Sequence, residues 1–279
     1  MHNWGYAPTV SALASDLLGG GVSIPILLKS IERSEDVVVD AGFVFRTDHQ
    51  HLVDKSRRRV ETHRALNGAA RRVALEFAEG LARVCPLIEC IALSGSVASG
   101  GYESHDDIDI DLFVVDGAKY FAYATALLIG LKTSILHRKT YGLRKLICIN
   151  VLWSRGESHP FCRKDENLAF ELLHCQPLLG AQNFQDVVAD NEWIDSFFPQ
   201  IRERIVRETM RFPSPHAIGR IVAWVSQHRR LLKSMEASAK LLSQAAYSFA
   251  HWPQRKDAAA LERLRFLQRV KYPYEVFQD

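Results

Sequence analysis

The sequence predicts an α+β fold: a small mixed sheet, with a helix-and-hairpin unit before it and a helical domain after it. Three observations carry this reading. Residues 88–93, 108–115 and 146–153 are short apolar or alternating runs of strand length. A helical run from Lys119 to Leu136 separates the last two, giving the order strand, crossover helix, strand. Apolar residues at three- and four-residue steps fill most of the flanking sequence.

Residues 1–48 hold two short helical candidates, Val10 to Leu18 and Ile24 to Arg33, parted by Gly19, Gly20 and Gly21, a run that ends a helix. Val37, Val38 and Val39 then lead through Asp40, Ala41 and Gly42 to Phe43, Val44 and Phe45. Two β-prone runs joined by a Gly-containing turn make a hairpin. Helices followed by a small hairpin describe a winged-helix-like unit. Its second helix carries only Lys29 and Arg33 as cations, thin for phosphate contacts, so it reads as a packing element.

Residues 49–85 form one connecting helix, in which Leu66, Ala69, Ala70, Val73, Phe77 and Leu81 recur on one face. Its arginines are offset by Glu61, Glu76 and Glu79, which favours a solvated face over a nucleic-acid contact. Residues 86–163 make the sheet-bearing core. Residues 164–279 read as a helical domain throughout, punctuated by Pro177, Pro199, Pro213 and Pro215.

Composition bounds the function. The chain has 279 residues, 35 Lys plus Arg against 32 Asp plus Glu, and a formal charge of +3. That balance excludes a strongly basic nucleic-acid coat and a disordered polyelectrolyte. Cys85, Cys90, Cys148, Cys162 and Cys175 form no C-x-x-C pair and read as reduced intracellular thiols. No signal peptide is expected at the amino terminus, and the apolar stretch Tyr120 to Leu131 falls short of the ~20 residues that span a bilayer. A cytoplasmic protein without a membrane partner is expected.

The chemistry concentrates in Ile91 to Asp116, IALSGSVASGGYESHDDIDIDLFVVD. A strand ends at Leu93, Ser94, Gly95 and Ser96 turn the chain, and the next strand alternates aspartate with apolar residues. Side chains in a strand alternate faces, so Asp107, Asp109 and Asp111 share one side. Carboxylates on one face repel unless a cation sits between them, and an i, i+2 pair can converge on hard divalent cations. Gly95 lets the backbone approach a ligand, and Ser96 offers a hydroxyl to a phosphate. An anion-binding turn beside a cation-binding pair specifies a metal-bound nucleoside triphosphate.

Ser94-Gly95-Ser96 followed by Asp109-Ile110-Asp111-Leu112 resembles the signature of the DNA polymerase beta-type nucleotidyltransferase superfamily. The likeness extends to bacterial and archaeal nucleotidyltransferase-domain proteins with a winged-helix-like amino-terminal unit and a basic helix. It includes a strand similar to Lys145–Asn150, KLICIN, and a helical segment similar to Glu171–Gly180, ELLHCQPLLG. The resemblance implies a nucleotidyltransferase core over residues 86–163 in which Gly95 and Ser96 hold the β- and γ-phosphates. It implies that Asp109 and Asp111 are catalytic and bind two Mg2+ ions. The cofactors are then magnesium and an NTP, ATP by default. An acceptor hydroxyl attacks the α-phosphorus and pyrophosphate leaves.

The acidic run allows two registers, Asp107 with Asp109 or Asp109 with Asp111; the second lets Leu112 to Val115 continue the strand. Asp109 belongs to both, and Asp107 is a further metal ligand. Where the superfamily often has a third carboxylate, this chain has Asn150, whose amide accepts no proton at neutral pH. His159, Cys162, His174 and Cys175 have no tetrahedral spacing. Trp193, Phe197 and Phe198 read as packing residues, and Arg202, Arg204, Arg207 and Arg211 as a solvated helix face. The modest charge favours a small-molecule acceptor over a polynucleotide. The alternatives are a weak or inactive nucleotide-binding or DNA-binding regulator, or a toxin–antitoxin-type transferase acting on RNA or protein.

Overall fold

The computed structural model describes residues 6–142, 145–204 and 210–250 and is an α+β chain with a four-stranded mixed sheet and a separate hairpin. Helix α1 (Val10–Ser15) starts where the Thr9 side chain accepts from Ala12 N, and α2 (Ile24–Ile31) has a proline in its first turn. Both patterns suit helix starts, one by pairing an orphan amide and the other by lacking one. Strands β1 (Val37–Asp40) and β2 (Phe43–Arg46) pair antiparallel. Ala41 and Gly42 both take positive φ, 49° and 81°, as a tight type I′ hairpin turn demands. Phe43 and Phe45 close with Ala7, Leu52 and Val53 over a small core of their own.

That unit sits on the start of α3 (Leu52–Val84), the connecting helix. Further along, α3 buries Ala70, Val73, Ala74, Phe77, Ala78 and Leu81 in the main core. Strand β3 (Ile88–Leu93), a single-turn helix α4 (Gly95–Ala98) and strand β4 (Ile108–Val114) follow. After the crossover α5 (Lys119–Leu136) and the short α6 (Arg138–Tyr141), β5 (Ile147–Ser154) lies parallel to β4. Ala118, the residue before α5, has no side chain able to cap it. Glu236 takes that role from far along the chain, accepting from Tyr120 N at 2.7 Å and Phe121 N at 2.9 Å.

The remaining elements are α7 (Arg155–Ser158), α8 (Glu166–His174), β6 (Gln176–Leu179), α9 (Ala181–Asp190), α10 (Ile201–Arg204), α11 (Ala217–Ser226) and α12 (Arg229–Ala250). The sheet order is β5-β4-β3-β6, with β3 antiparallel to both neighbours. The expectation of an all-helical region from residue 164, with a helix through Gly180, does not hold. Pro177 supplies no amide to a helix and biases Gln176 toward extended backbone. The chain therefore leaves α8 at Cys175 and adds β6 to an edge of the sheet, where a proline is tolerated. The expected run from Ile218 to Ala250 is the pair α11 and α12; residues 251–279 lie outside the described residues.

Two apolar clusters cover the two sheet faces. Ile91, Leu93, Ile108, Ile110 and Leu112 meet α3 and α5 on one side. Ala92, Phe113, Val151 and Trp153 meet α8 and α9 on the other, together with Ile194 and Phe198. Trp193 and Phe197 pack against this second cluster, as read from the sequence. Among the described residues no helix is long and apolar enough to cross a membrane.

Candidate active site

The site lies where β4 and β5 emerge from the second core. The parallel register sets Asp109 beside Cys148, whereas Asp111 pairs with Val151, because β5 carries an extra residue, Asn150, between Ile149 and Val151. Such a bulge re-aims side chains. Along one sheet face polarity therefore falls in steps: Asp109 and Cys148 at the partly exposed end, Asp111 and Asn150 beneath them, then Phe113 and Trp153 in the apolar cluster.

At the open end, Asp107, Asp109 and Cys148 bring one ligand atom each within 4.8 Å of one another. Asp109 packs against the turn: Gly95 has φ +59°, and a Cβ there would overlap the Asp109 carboxylate. Only glycine satisfies both conditions, which is why this residue type stands at the start of α4. Ser94 N also donates to Asp109 O at 3.0 Å, locking the turn to β4. Ser96 Oγ is buried and has no hydrogen-bond partner among the described residues. A buried hydroxyl without a partner costs stability unless a ligand completes it.

Burial, and then the charges of Asp107 and Glu171, push the Asp109 carboxyl up to about 8, against the pull of Lys145. Lys145 Nζ donates to Cys148 Sγ at 3.3 Å. A cation at this cluster relieves the repulsion that raises Asp109. The two carboxylates suit a hard divalent cation, and the thiol adds a softer donor.

Asp111 stands apart from that group. It is 0% exposed; its Oδ1 accepts from Ser94 Oγ at 2.8 Å and Asn150 Nδ2 at 3.1 Å, and its Oδ2 from Cys175 Sγ at 3.0 Å. Burial raises its carboxyl above the ordinary range, although the donors from Cys175, Ser94 and Asn150 oppose this. The Cys175 thiol is itself held protonated by burial and the Asp111 charge, which keeps it a donor. Asn150 shares its two N–H groups among three oxygens, those of Asp111, Ser94 at 3.2 Å and Glu171 at 3.0 Å. The structure thus brings Asp109 together with Asp107 and Gly95, with Ser96 following on the same turn, and places Asp111 in a closed network below them. The favoured register, Asp109 with Asp111, is not the pair that shares the open end. The reason is that α8 and Cys175 cover the second rung.

Tyr102 is 1% exposed and lies in the main core. Its amide donates to His63 Nδ1 at 3.2 Å, which ties the spacer to α3. The α3 cations hold the same loop: Arg59 Nε donates to Gly101 O at 2.6 Å, and Arg71 reaches Gln176 Oε1, whose amide reaches Ala98 O. Part of the arginine-rich face is therefore internal clamp as well as solvated surface. Arg202 pairs with Asp195 and Arg204 with Asp16; Arg207 lies outside the described residues.

The sequence reading gives Cys148, Glu171 and Cys175 no place beside the aspartates, where the structure puts them. Cys148 was within reach, since Cys148 and Asn150 repeat the i, i+2 spacing of Asp109 and Asp111 on the next parallel strand. Glu171 and Cys175 come from a helix and its exit, with no sequence spacing that links them to β4. Scans of protein-family models, curated proteins and solved structures find no match to this chain.

Proposed function

We propose that the chain is a metal-dependent nucleotidyltransferase, with a winged-helix-like unit preceding its catalytic core, that moves a nucleoside monophosphate from an NTP to a hydroxyl of a small molecule. The observation that supports this reading is the packing of Asp109 on Gly95, beside Asp107 and next to a buried, unpartnered Ser96 Oγ. Asp107 and Asp109 supply carboxylate oxygens to magnesium, which neutralises phosphate charge and lowers the pKa of an acceptor hydroxyl. Gly95 admits a phosphate close to the backbone, and Ser96 Oγ donates to it. Helix α4 is a single turn, so local amides and the hydroxyl do this work and a long helix dipole does not. The acceptor oxygen forms its bond to the α-phosphorus as the bond to pyrophosphate breaks, and the acceptor's hydroxyl proton passes to solvent. Asp111 acts as a positioning residue, fixing Ser94 immediately before the turn.

The test is incubation of the purified protein with labelled ATP, CTP, GTP or UTP, magnesium and a panel of hydroxyl-bearing small molecules, followed by separation of labelled product and assay of pyrophosphate. Product that disappears in Asp107→Ala and Asp109→Ala supports the reading. Turnover that persists in both removes this site from the chemistry.

A further inference from the structure

Helix α5 contains the apolar stretch that falls short of a membrane span, and the structure leaves one side of it uncovered. We propose that the outer face of α5, with the neighbouring α11, docks on an anionic lipid surface, its leucines entering the acyl-chain boundary while the flanking cations meet phosphate headgroups. The proposal goes beyond the nucleotidyltransferase reading and does not depend on it.

The sequence of α5, KYFAYATALLIGLKTSIL, is apolar on every side, and a helix of that kind is ordinarily covered all round. One side is: Gly130 lies against Ile147 and Phe77, and Ala122 and Ala126 join the main core. The other carries Leu128, Leu131, Ile135 and Leu136, each between 51% and 68% exposed. Positions 128, 131 and 135 recur at three- and four-residue steps and so form one stripe. Helix α11 adds Ile218, Ile221 and Trp224, also more than half exposed. Both helices pack on α3, and Leu136 and His216, the residue before α11, line one cavity with Gly80 and Val84. Single exposed leucines are ordinary; a group of this size marks a contact surface.

Charge decides what covers it. Residues 117–156 contain no Asp or Glu, nor do residues 209–235, and these two stretches hold α5 and α11. Lys132 interrupts the leucine stripe, Arg138 and Lys139 follow it in α6, and Arg220 lies on α11; all four are exposed and pair with no carboxylate among the described residues. The acids that reach α5 from other elements are engaged: Glu76 with His137 Nε2 at 2.8 Å, Glu157 with Lys119 Nζ at 2.7 Å, and Glu236 with the amides of Tyr120 and Phe121. A second copy would meet this face with the same cations and no acid to pair them, which opposes self-association. Residues 251–279 are no better matched, since Arg255, Lys256, Arg263, Arg265, Arg269 and Lys271 outnumber Asp257, Glu262, Glu275 and Asp279. An anionic bilayer supplies an apolar medium for the stripe and phosphates for the cations, and it needs no shaped groove to receive a convex helix. The Lys132 stem can lie along the leucines with its ammonium at headgroup level. A face that lies on a bilayer crosses nothing, so this agrees with the lack of a spanning helix among the described residues.

The test is flotation of the full-length protein with vesicles of phosphatidylcholine alone or of phosphatidylcholine and phosphatidylserine in a three-to-one mixture. The protein is expected to float with the mixed vesicles, to stay behind with the neutral ones, and to be released by high salt. Lys132→Gln and Lys139→Gln should each weaken binding about fivefold, the double variant Leu131→Gln with Ile135→Gln should abolish it, and Arg33→Gln, on α2, should leave it unchanged. Phosphatidylserine brominated in its acyl chains should quench tryptophan emission, and less so in Trp224→Phe. Circular dichroism checks that each variant is folded. No flotation with the mixed vesicles, binding that survives loss of Leu131 and Ile135, or flotation without quenching overturns the proposal. A dimer in sedimentation equilibrium that Leu131→Gln dissociates, in a protein that does not float, gives the face to a second copy and overturns it as well.

Discussion

Two rungs of one sheet face teach opposite uses of a carboxylate. Asp109, one residue pair from the open end, faces Asp107 across a gap and finds a hydroxyl-bearing turn beside it. Asp111, a rung deeper, is enclosed by Ser94, Asn150, Cys175 and the helix that carries Glu171. The first is left with a charge that its surroundings do not satisfy; the second has every oxygen occupied. A carboxylate left short of partners is available to a ligand, whereas a fully paired one serves the fold.

The largest effect is expected where the open rung is removed. Asp109→Ala should lower magnesium-dependent nucleotide turnover on the order of 100-fold or more and weaken metal binding, read by product formation and calorimetry, while the protein stays folded. Equal turnover in this variant breaks the comparison. Removing the enclosed rung should act on stability first. Asp111→Ala strands the donors of Ser94, Asn150 and Cys175 and should cost about 3 kcal/mol in urea denaturation; Asp111→Asn should cost less. A larger loss of stability in Asp109→Ala than in Asp111→Ala would invert the assignment of the two rungs.

A third carboxylate sharpens the contrast. Asp16, 8% exposed, joins the amino-terminal unit to the rest of the chain, with Arg204 Nη2 at 2.7 Å and His174 Nε2 at 3.3 Å. Burial alone raises its carboxyl, yet the His174 and Arg204 interactions outweigh that and hold it below the ordinary 3.8. A carboxyl lowered in the folded state stabilises above its unfolded value and stops doing so as pH falls through the folded one. Asp16→Asn should therefore cost about 2 kcal/mol near neutrality, and the gap from wild type should close below about pH 4. A gap that widens in acid contradicts this sign. The smallest effect is a gain: Asp109→Asn, by removing a charge repelled by Asp107, should stabilise the metal-free protein at pH 8 by ~1 kcal/mol, a few degrees of melting temperature.

Much of the architecture was legible because it follows periodicity. The strand 88–93 and the helix 119–136 fall where apolar alternation and 3.6-residue spacing put them, and the hairpin turn sits at Asp40 to Gly42. Strand β6 was not legible, because Gln176 to Leu179 is a short apolar run inside a helical stretch and only its sheet partner decides its conformation. In the candidate site, residue type and spacing singled out Gly95, Ser96, Asp107 and Asp109, and the structure sets Gly95 and Asp107 beside Asp109. The burial of Asp111 was not, since spacing gives a face but says nothing of what packs on it. Neither could Asn150 be read as a bulge, for register lies in a partner strand and the sequence of one strand does not contain it.

The reach of Glu236 over the start of α5 has a bearing on where this protein can be cut. The crossover helix joins β4 to β5, and its second and third amides, those of Tyr120 and Phe121, are satisfied by an acid carried on α12. Ending the chain between Leu179 and that acid would leave those amides bare at the mouth of the crossover while sparing every residue of the sheet. A piece cut to the sheet alone is therefore expected to lose stability at the start of the crossover helix, and one that runs past residue 236 to keep it.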